Sequence, residues 1–310
     1  MNMSQATTEQ RGAPLGFVGV GTMGRPMARR LLQAGHALVV FDRDEAAVAE
    51  LVALGAQAAK SVREVADRAR IVFTSLPTPA IFKDVAIGAN GLLEGETLKI
   101  LVDLSTVGSR TEKEVAAGLR AKGIETVDAP VSGGAAGAQK GSLAIMAAGA
   151  SAAVEEVRPL FDVLGKVFVV GTEAGQGQLL KLLNNMLSST AFAITSEAFV
   201  AGMRGGLDPE VMISVINAGS GKNGATLDKF PKHVLPRSFD FGFPVGSVCK
   251  DIGLAVDECQ ALGVPMWVGN VARQMWNYAA MQDGAARDMT ELVRYVERWS
   301  STDGLEDSQA

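Results

Sequence analysis

Cysteine and histidine are scarce, with two of each in 310 residues. Cys249 and Cys259 stand apart from any C-x-x-C or H-x-x-x-H spacing, so neither a disulfide framework nor a metal site is expected. Positive charge is not in excess either. The 29 Lys and Arg face 34 Asp and Glu, a net −5, and no basic stripe occurs, which removes the electrostatic footprint of a nucleic-acid binder. Long apolar runs are missing as well. The longest stretch without charge, residues 182–196, is 15 residues long and broken by Asn and Ser, too short and too polar to span a bilayer. Residues 1–11 are polar with no apolar core of a secretory signal, so the chain reads as cytoplasmic. Proline is modest at 11 and no Gly/Ser tract or collagen period appears, which excludes low-complexity classes.

Glycine is what the chain has in surplus: 35 of 310 residues, about 11%, against a usual ~7%. Such a surplus points to tight turns and to backbone that must approach something closely. With 47% hydrophobic and 20% charged residues the chain is globular, and its length suggests two domains at roughly 150 residues each.

Residues 14–170 alternate β-rich runs (Leu15–Val20, Ala37–Phe41, Ile71–Leu76, Ile100–Leu104, Ile124–Val127, Leu143–Ala147, Val167–Val170) with amphipathic helical segments such as Arg25–Gln33, Glu45–Leu54, Thr111–Lys122 and Ala153–Leu164. Gly35, Gly55, Gly123 and Gly165 follow helices where a C-cap wants positive φ. Runs such as Ile71-Val72-Phe73 do not alternate, as expected of strands buried on both faces of a parallel sheet. After Gly171 the β-signal disappears. Helices are predicted over 176–204, Pro209–Ala218, Val245–Leu262, Pro265–Met281 and Met289–Trp299, the prolines sitting at helix starts. The 176–204 segment is apolar nearly all round and reads as a helix buried on most sides. The expectation is an α/β, Rossmann-type doubly wound sheet over residues 14–173. A long helix joins it to an all-helical domain for substrate and oligomerisation over 174–299, with tails at 1–13 and 300–310. The greasy long helix leads to an expected homodimer or homotetramer.

The first strand runs into Gly19-Val20-Gly21-Thr22-Met23-Gly24 and then a helix. In that setting the G-x-G-x-x-G is a dinucleotide fingerprint. Gly19 permits the tight turn, Gly21 lets backbone reach the pyrophosphate, Gly24 allows helix and strand to pack, and the helix start faces phosphate charge. Asp42 closes the second strand, where a carboxylate accepts from ribose hydroxyls and repels a 2′-phosphate. Arg43 follows at once and pulls towards the phosphorylated cofactor. NAD is expected, with NADP as the alternative.

A nicotinamide enzyme acting on an alcohol or carbonyl needs a group to move a proton at the oxygen. His36 lies in the turn before the second strand, at the wrong edge of the sheet, and His233 in a Lys/Pro-flanked loop, read as a surface residue. The long helix offers Lys181, Asn184, Asn185, Ser188 and Ser189 as one polar stripe. Burial and the helix dipole push a lysine there down from about 10.4 into a useful range. Periodicity alone fits equally well a lysine that snorkels to solvent beside asparagines at a helix interface.

Four motifs in series, Gly16-Phe-Val-Gly-Val-Gly-Thr-Met-Gly24-Arg-Pro-Met-Ala, Asp128-Ala-Pro-Val-Ser-Gly-Gly134, Gly175-Gln-Gly-Gln-Leu-Leu-Lys181-Leu-Leu-Asn184-Asn185 and Lys250-Asp251, resemble the β-hydroxyacid dehydrogenase family, which includes 3-hydroxyisobutyrate dehydrogenase and tartronate semialdehyde (2-hydroxy-3-oxopropionate) reductase. The resemblance covers roughly residues 14–299. It implies that Lys181 is the catalytic acid/base, that Asn185 helps hold substrate and lysine, and that Ser132, Gly133 and Gly134 receive the substrate carboxylate. It also implies that Lys250, Leu76, Pro77 and Thr106 lie at the cofactor. The implied activity is reversible hydride transfer between NAD(P) and a short β-hydroxy acid or its semialdehyde.

The stretch Asn217–Asn223 and Lys229-Phe230-Pro231 depart from the best-known family versions, which leaves substrate identity open. Gly221-Lys222 brushes a P-loop pattern but fails it, since Asn follows the lysine and no strand precedes. Three alternatives stand beside the main reading. A decarboxylating 6-phosphogluconate-type enzyme needs a larger helical domain. An imine reductase typically lacks the lysine. A non-catalytic dinucleotide-binding module would have lost it.

Overall fold

The computed structural model describes residues 13–300, so of the expected tails at 1–13 and 300–310 all but residues 13 and 300 lie outside the described residues. The chain divides into two compact units, Met1–Lys181 and Leu182–Ala310.

The first unit alternates strands and helices. In order these are β1 (Leu15–Val18), α1 (Gly24–Gln33), β2 (Leu38–Phe41), α2 (Glu45–Ala53), β3 (Gln57–Ala58), α3 (Val62–Arg68), β4 (Ile71–Thr74), α4 (Pro79–Ile87), a 3₁₀ turn (Leu92–Glu94) and β5 (Ile100–Asp103). They continue with α5 (Ser109–Arg120), β6 (Glu125–Asp128), β7 (Val131–Ser132), α6 (Gly134–Lys140), β8 (Leu143–Gly149), α7 (Ser151–Leu164) and β9 (Gly165–Gly171). Local chemistry starts several helices. Asp44 caps α2 by accepting from Ala46 N and Ala47 N, Ser61 caps α3, and Thr78 caps α4 with Pro79 just inside.

The sheet runs in the order β3-β2-β1-β4-β5-β6-β8-β7, with β9 on β8. Pairing is parallel from β3 to β6, antiparallel where β8 meets β6 and β7, and parallel again between β8 and β9. Both faces are covered. Phe17, Val40, Phe73 and Val102 pack on α1, α2, α6 and α7, while Val18, Val39, Val72 and Leu101 pack on α3, α4 and α5. Neighbouring residues of one strand thus go to opposite cores, which is why the runs do not alternate in hydrophobicity. Order reverses between β1 and β4, the switch point at which such sheets bind ligands beyond their strand ends.

The long helix α8 (Gln176–Arg204) spans the break between the units. The second unit continues with α9 (Pro209–Ala218), a π-helical segment (Ala225–Val234), α10 (Val245–Ala261), α11 (Trp267–Asp283), a 3₁₀ turn (Met289–Glu291) and α12 (Leu292–Ser300). Its core gathers Phe192, Phe199, Phe230, Val248, Ile252, Trp276, Leu292 and Tyr295. Among the described residues no helix is long and apolar enough to cross a membrane.

Several expectations need correction. Gly35, Gly55 and Gly123 have positive φ, but Gly165 is extended and opens β9; a side chain there would meet Leu143 O at 2.0 Å. α8 is not buried all round: Leu180, Leu187, Ile194 and Met203 are exposed in the single chain, while Leu182, Phe192 and Phe199 are buried. Pro265 does not open its helix, because Met266 adopts a left-handed conformation and α11 starts at Trp267. His233 is not in an open loop. It sits in the π-helical segment, with Nδ1 2.7 Å from Asp240 Oδ1.

Candidate active site

The glycine loop after β1 shows why each glycine is there. Gly19 has φ +89°, and a Cβ on it would lie 2.3 Å from Ser75 O in the loop after β4. A Cβ on Gly24 would lie 1.9 Å from Gly19 O, so α1 starts in direct contact with the turn. Gly21, by contrast, has nothing within 4 Å of its Cβ position, and Gly21 and Thr22 are exposed while Met23 is half-buried. This is a cradle with open space where a pyrophosphate would lie, so the residues present fit a dinucleotide. Asp42 buttresses the loop: Val20 N donates to its Oδ2 at 2.6 Å and Asp44 N to its Oδ1 at 2.9 Å. Arg43 beside it is exposed.

At the other side of the switch point, strand register sets Thr74, Asp103 and Asp128 side by side at the ends of β4, β5 and β6. All three are buried and form a network. Thr74 Oγ1 and Ser105 Oγ donate to Asp103 Oδ1 at 2.7 and 2.5 Å, and Leu76 N donates to Ser105 Oγ at 2.8 Å. The expected cofactor loop Leu76-Pro77 is thereby tied to the loop that carries Thr106. Asp128 Oδ1 and Oδ2 accept from Gly175 N (3.1 Å) and Gln178 N (2.9 Å), the free N–H groups at the start of α8. Gly175 and Gly177 make this approach possible, since a Cβ on Gly177 would lie 2.3 Å from Met146 O and 2.9 Å from Asp128 Oδ2. Burial pushes the Asp128 carboxyl up to about 7, against the two backbone donors, and the charge of Asp103 adds to the rise. Glu112 of α5 is buried with neither carboxyl oxygen hydrogen-bonded, and burial, then Asp103 and Asp128, hold it well above the usual carboxylate range.

Lys181 is the sixth residue of α8 and is only 7% exposed. Ser132 is half-buried at the end of β7, and Gly133 (φ +133°) and Gly134 (φ +63°) turn the chain from there into α6. Only glycine takes both of those conformations without strain.

In the second unit Asp251 of α10 is buried and joins two expected site residues. Asn185 Nδ2 donates to its Oδ2 at 2.7 Å, and Lys250 Nζ lies 2.9 Å from its Oδ1. Lys229, in the departing stretch, is also buried: its Nζ donates to Ser188 Oγ at 3.3 Å and stands 4.9 Å from the centre of the Phe241 ring. Burial lowers its pKa. Residue-level reading of the sequence missed Glu112 altogether, gave Asp103, Asp128, Gln178 and Asp251 no role, and noted Lys229 only as part of a departing stretch. Asp128, Gln178 and Asp251 sit inside the recognised motifs, a signal that was available; Glu112 has none.

A fold of this topology with this glycine cradle at its switch point defines a Rossmann-type enzyme that binds NAD or NADP. Comparison with known proteins narrows the class. A model of the NAD binding domain of 6-phosphogluconate dehydrogenase matches residues 14–171, and one of the NAD-binding of NADP-dependent 3-hydroxyisobutyrate dehydrogenase matches residues 175–296. The chain is 36% identical over 291 residues to 2-(hydroxymethyl)glutarate dehydrogenase of Eubacterium barkeri, covering 93% of this chain and 96% of the relative. It is 36% identical over 277 residues to 3-hydroxyisobutyrate dehydrogenase of Pseudomonas aeruginosa, covering 87% and 93%. Among solved structures, 3-hydroxyisobutyrate dehydrogenase of Mycobacterium tuberculosis with L-serine superposes with a TM-score of 0.83 at 29% identity, covering 92% of this chain and 99% of that one. The chain belongs to the β-hydroxyacid dehydrogenase family, and is an oxidoreductase acting on CH–OH groups of small hydroxy acids.

Proposed function

We propose that the enzyme interconverts a short β-hydroxy acid and its semialdehyde, with Lys181 as general acid/base. The bound nicotinamide supplies or accepts the hydride. In reduction the Lys181 ammonium gives a proton to the carbonyl oxygen, and in oxidation the neutral amine takes the hydroxyl proton. Backbone N–H groups of Ser132, Gly133 and Gly134 receive the carboxylate. Asn185 and Lys250, joined through Asp251, are assigned to substrate and cofactor respectively. The cofactor domain is taken as 14–173 and the helical domain as 174–299.

One observation carries the reading. A lysine is buried on the second turn of a helix whose first turn is hydrogen-bonded to the ends of β5 and β6, the sheet edge where α/β enzymes do their chemistry. The compounds named for the relatives (3-hydroxyisobutyrate, 2-(hydroxymethyl)glutarate and L-serine) share a carboxylate with a hydroxyl on its β carbon. They differ in the group at the α carbon, so substrate choice rests on that substituent.

Lys181→Ala is expected to lower kcat by about 10²-fold or more while cofactor binding stays near normal. Absorbance of the reduced nicotinamide, followed over a panel of three- and four-carbon hydroxy acids and semialdehydes, identifies the substrate and tests the lysine together. An unchanged kcat in Lys181→Ala refutes the assignment. Asp42 supports NAD over NADP, so kcat/KM is expected to be higher with NADH; the opposite order would mean that Arg43 outweighs it.

A further inference from the structure

In the first unit the Gln178 side chain makes every hydrogen bond an amide can make. It is fully buried. Its Oε1 accepts from Val107 N (3.0 Å) and Gly108 N (3.2 Å), and its Nε2 donates to Ser105 O (3.0 Å) and Asp103 Oδ2 (3.2 Å). Two donors and two acceptor positions are all used. All four bonds go to one short segment, the loop that leaves β5 through Thr106 into α5. Its backbone N–H also donates to Asp128.

Lys181 lies three residues on, one turn along the same face of α8. The backbone bonds of the first turn converge on one carboxylate, whereas the side-chain fork ties the same turn to a second, separate segment, and two attachment points resist a roll that one would allow. We propose that Gln178 is a positioning residue for Lys181: its amide locks the first turn of α8 to the Asp103–Gly108 loop, and so fixes where the lysine amine stands relative to the reacting oxygen. The inference rests on the acid/base reading of Lys181. A displacement near 1 Å of a reacting group costs on the order of 10²-fold in rate, so loss of the fork should appear in kcat before it appears in binding.

The test uses three variants of the full chain with the cofactor and the best substrate of the panel. Gln178→Met keeps the length and removes the fork. It is expected to lower kcat by roughly 10- to 10²-fold, with cofactor Kd, KM and the number of cofactor sites per chain close to the parent. Gln178→Glu keeps the shape but, when ionised, cannot donate to Asp103 and adds a fourth carboxyl to those of Asp103 on β5, Asp128 on β6 and Glu112 on α5, with Lys181 the cation on its own helix. Protonated, it can donate to Asp103 and accept from the loop. Its kcat relative to the parent is therefore expected to rise as pH falls, a profile that general weakening of the fold does not produce. Kcat within threefold of the parent in Gln178→Met, or a loss of kcat that only follows a loss of cofactor sites, overturns the proposal. So does failure of both variants to fold. Lys181→Ala run alongside separates the two readings. If it is active, the acid/base assignment fails and this inference with it. If it is inactive while Gln178→Met is normal, only the positioning role fails.

Discussion

Glu112 brings a carboxyl into the interior of the first unit with neither oxygen hydrogen-bonded, facing the charges of Asp103 and Asp128. An ionised carboxylate there would be costly, so the neutral form is favoured well above the usual carboxylate range. Asp128, raised from 3.8 to about 7, acts in the same direction. Both folded-state values lie above the unfolded ones, so the folded chain holds more protons and stability falls as pH rises. The contribution is fully present below the unfolded values and is lost as pH rises through the folded ones, for Asp128 between 3.8 and about 7. Glu112→Gln keeps the shape of the neutral acid at every pH. It is expected to raise the melting temperature more at about pH 8 than at about pH 5, as read by calorimetry. An equal shift at both would contradict a buried neutral acid. Nothing in the sequence marks Glu112. It stands in an ordinary amphipathic helix, and only packing brings it against two strand-end aspartates.

At the scale of elements, two kinds of glycine separate. Gly55 sits in open space with φ +102°, so its constraint is conformational, whereas Gly177 is needed because Met146 O stands 2.3 Å from its Cβ position. Gly55→Ala is expected to cost roughly 1–2 kcal/mol and leave kcat unchanged. Gly177→Ala must lift the first turn of α8 from β8 and Asp128, at about 3 kcal/mol or more, with kcat falling too. Chemical denaturation beside steady-state kinetics checks the contrast. Amphipathic spacing and helix-ending glycines made α1, α2, α5 and α7 of the first unit legible. The π-helical segment was not, because Pro231 and His233 read as a loop, whereas Phe230 is buried in the aromatic core and the segment winds as a wide turn. The exposed apolar side of α8 was equally hidden, since hydrophobic residues on all sides of a helix give no phase to read.

For the whole molecule, the exposed apolar side chains carry a consequence. Trp267 is 80% exposed, and Val268, Val271 and Met281 of α11 stand out beside it, more apolar surface than an isolated soluble chain usually shows on one helix. The chain is expected to sediment as a multiple of 32.3 kDa at micromolar concentration, and Trp267→Asp to shift it towards the single chain. A monomer in the parent protein would contradict this.

The amino-acid sequence by itself determined the doubly wound sheet, the glycine cradle, Asp42 at the end of β2 and the single helix bearing Lys181. These depend on neighbours close along the chain: turn glycines, buried runs and helix periodicity. Tertiary structure alone decided the alignment of Thr74, Asp103 and Asp128, the fork of Gln178, the orphaned Glu112 and the Asn185–Asp251–Lys250 link. Those depend on the register of three parallel strands and on the packing of distant helices, and Asp103, Glu112, Asp128, Gln178 and Asn185 acquire their roles from partners 9 to 75 residues away along the chain.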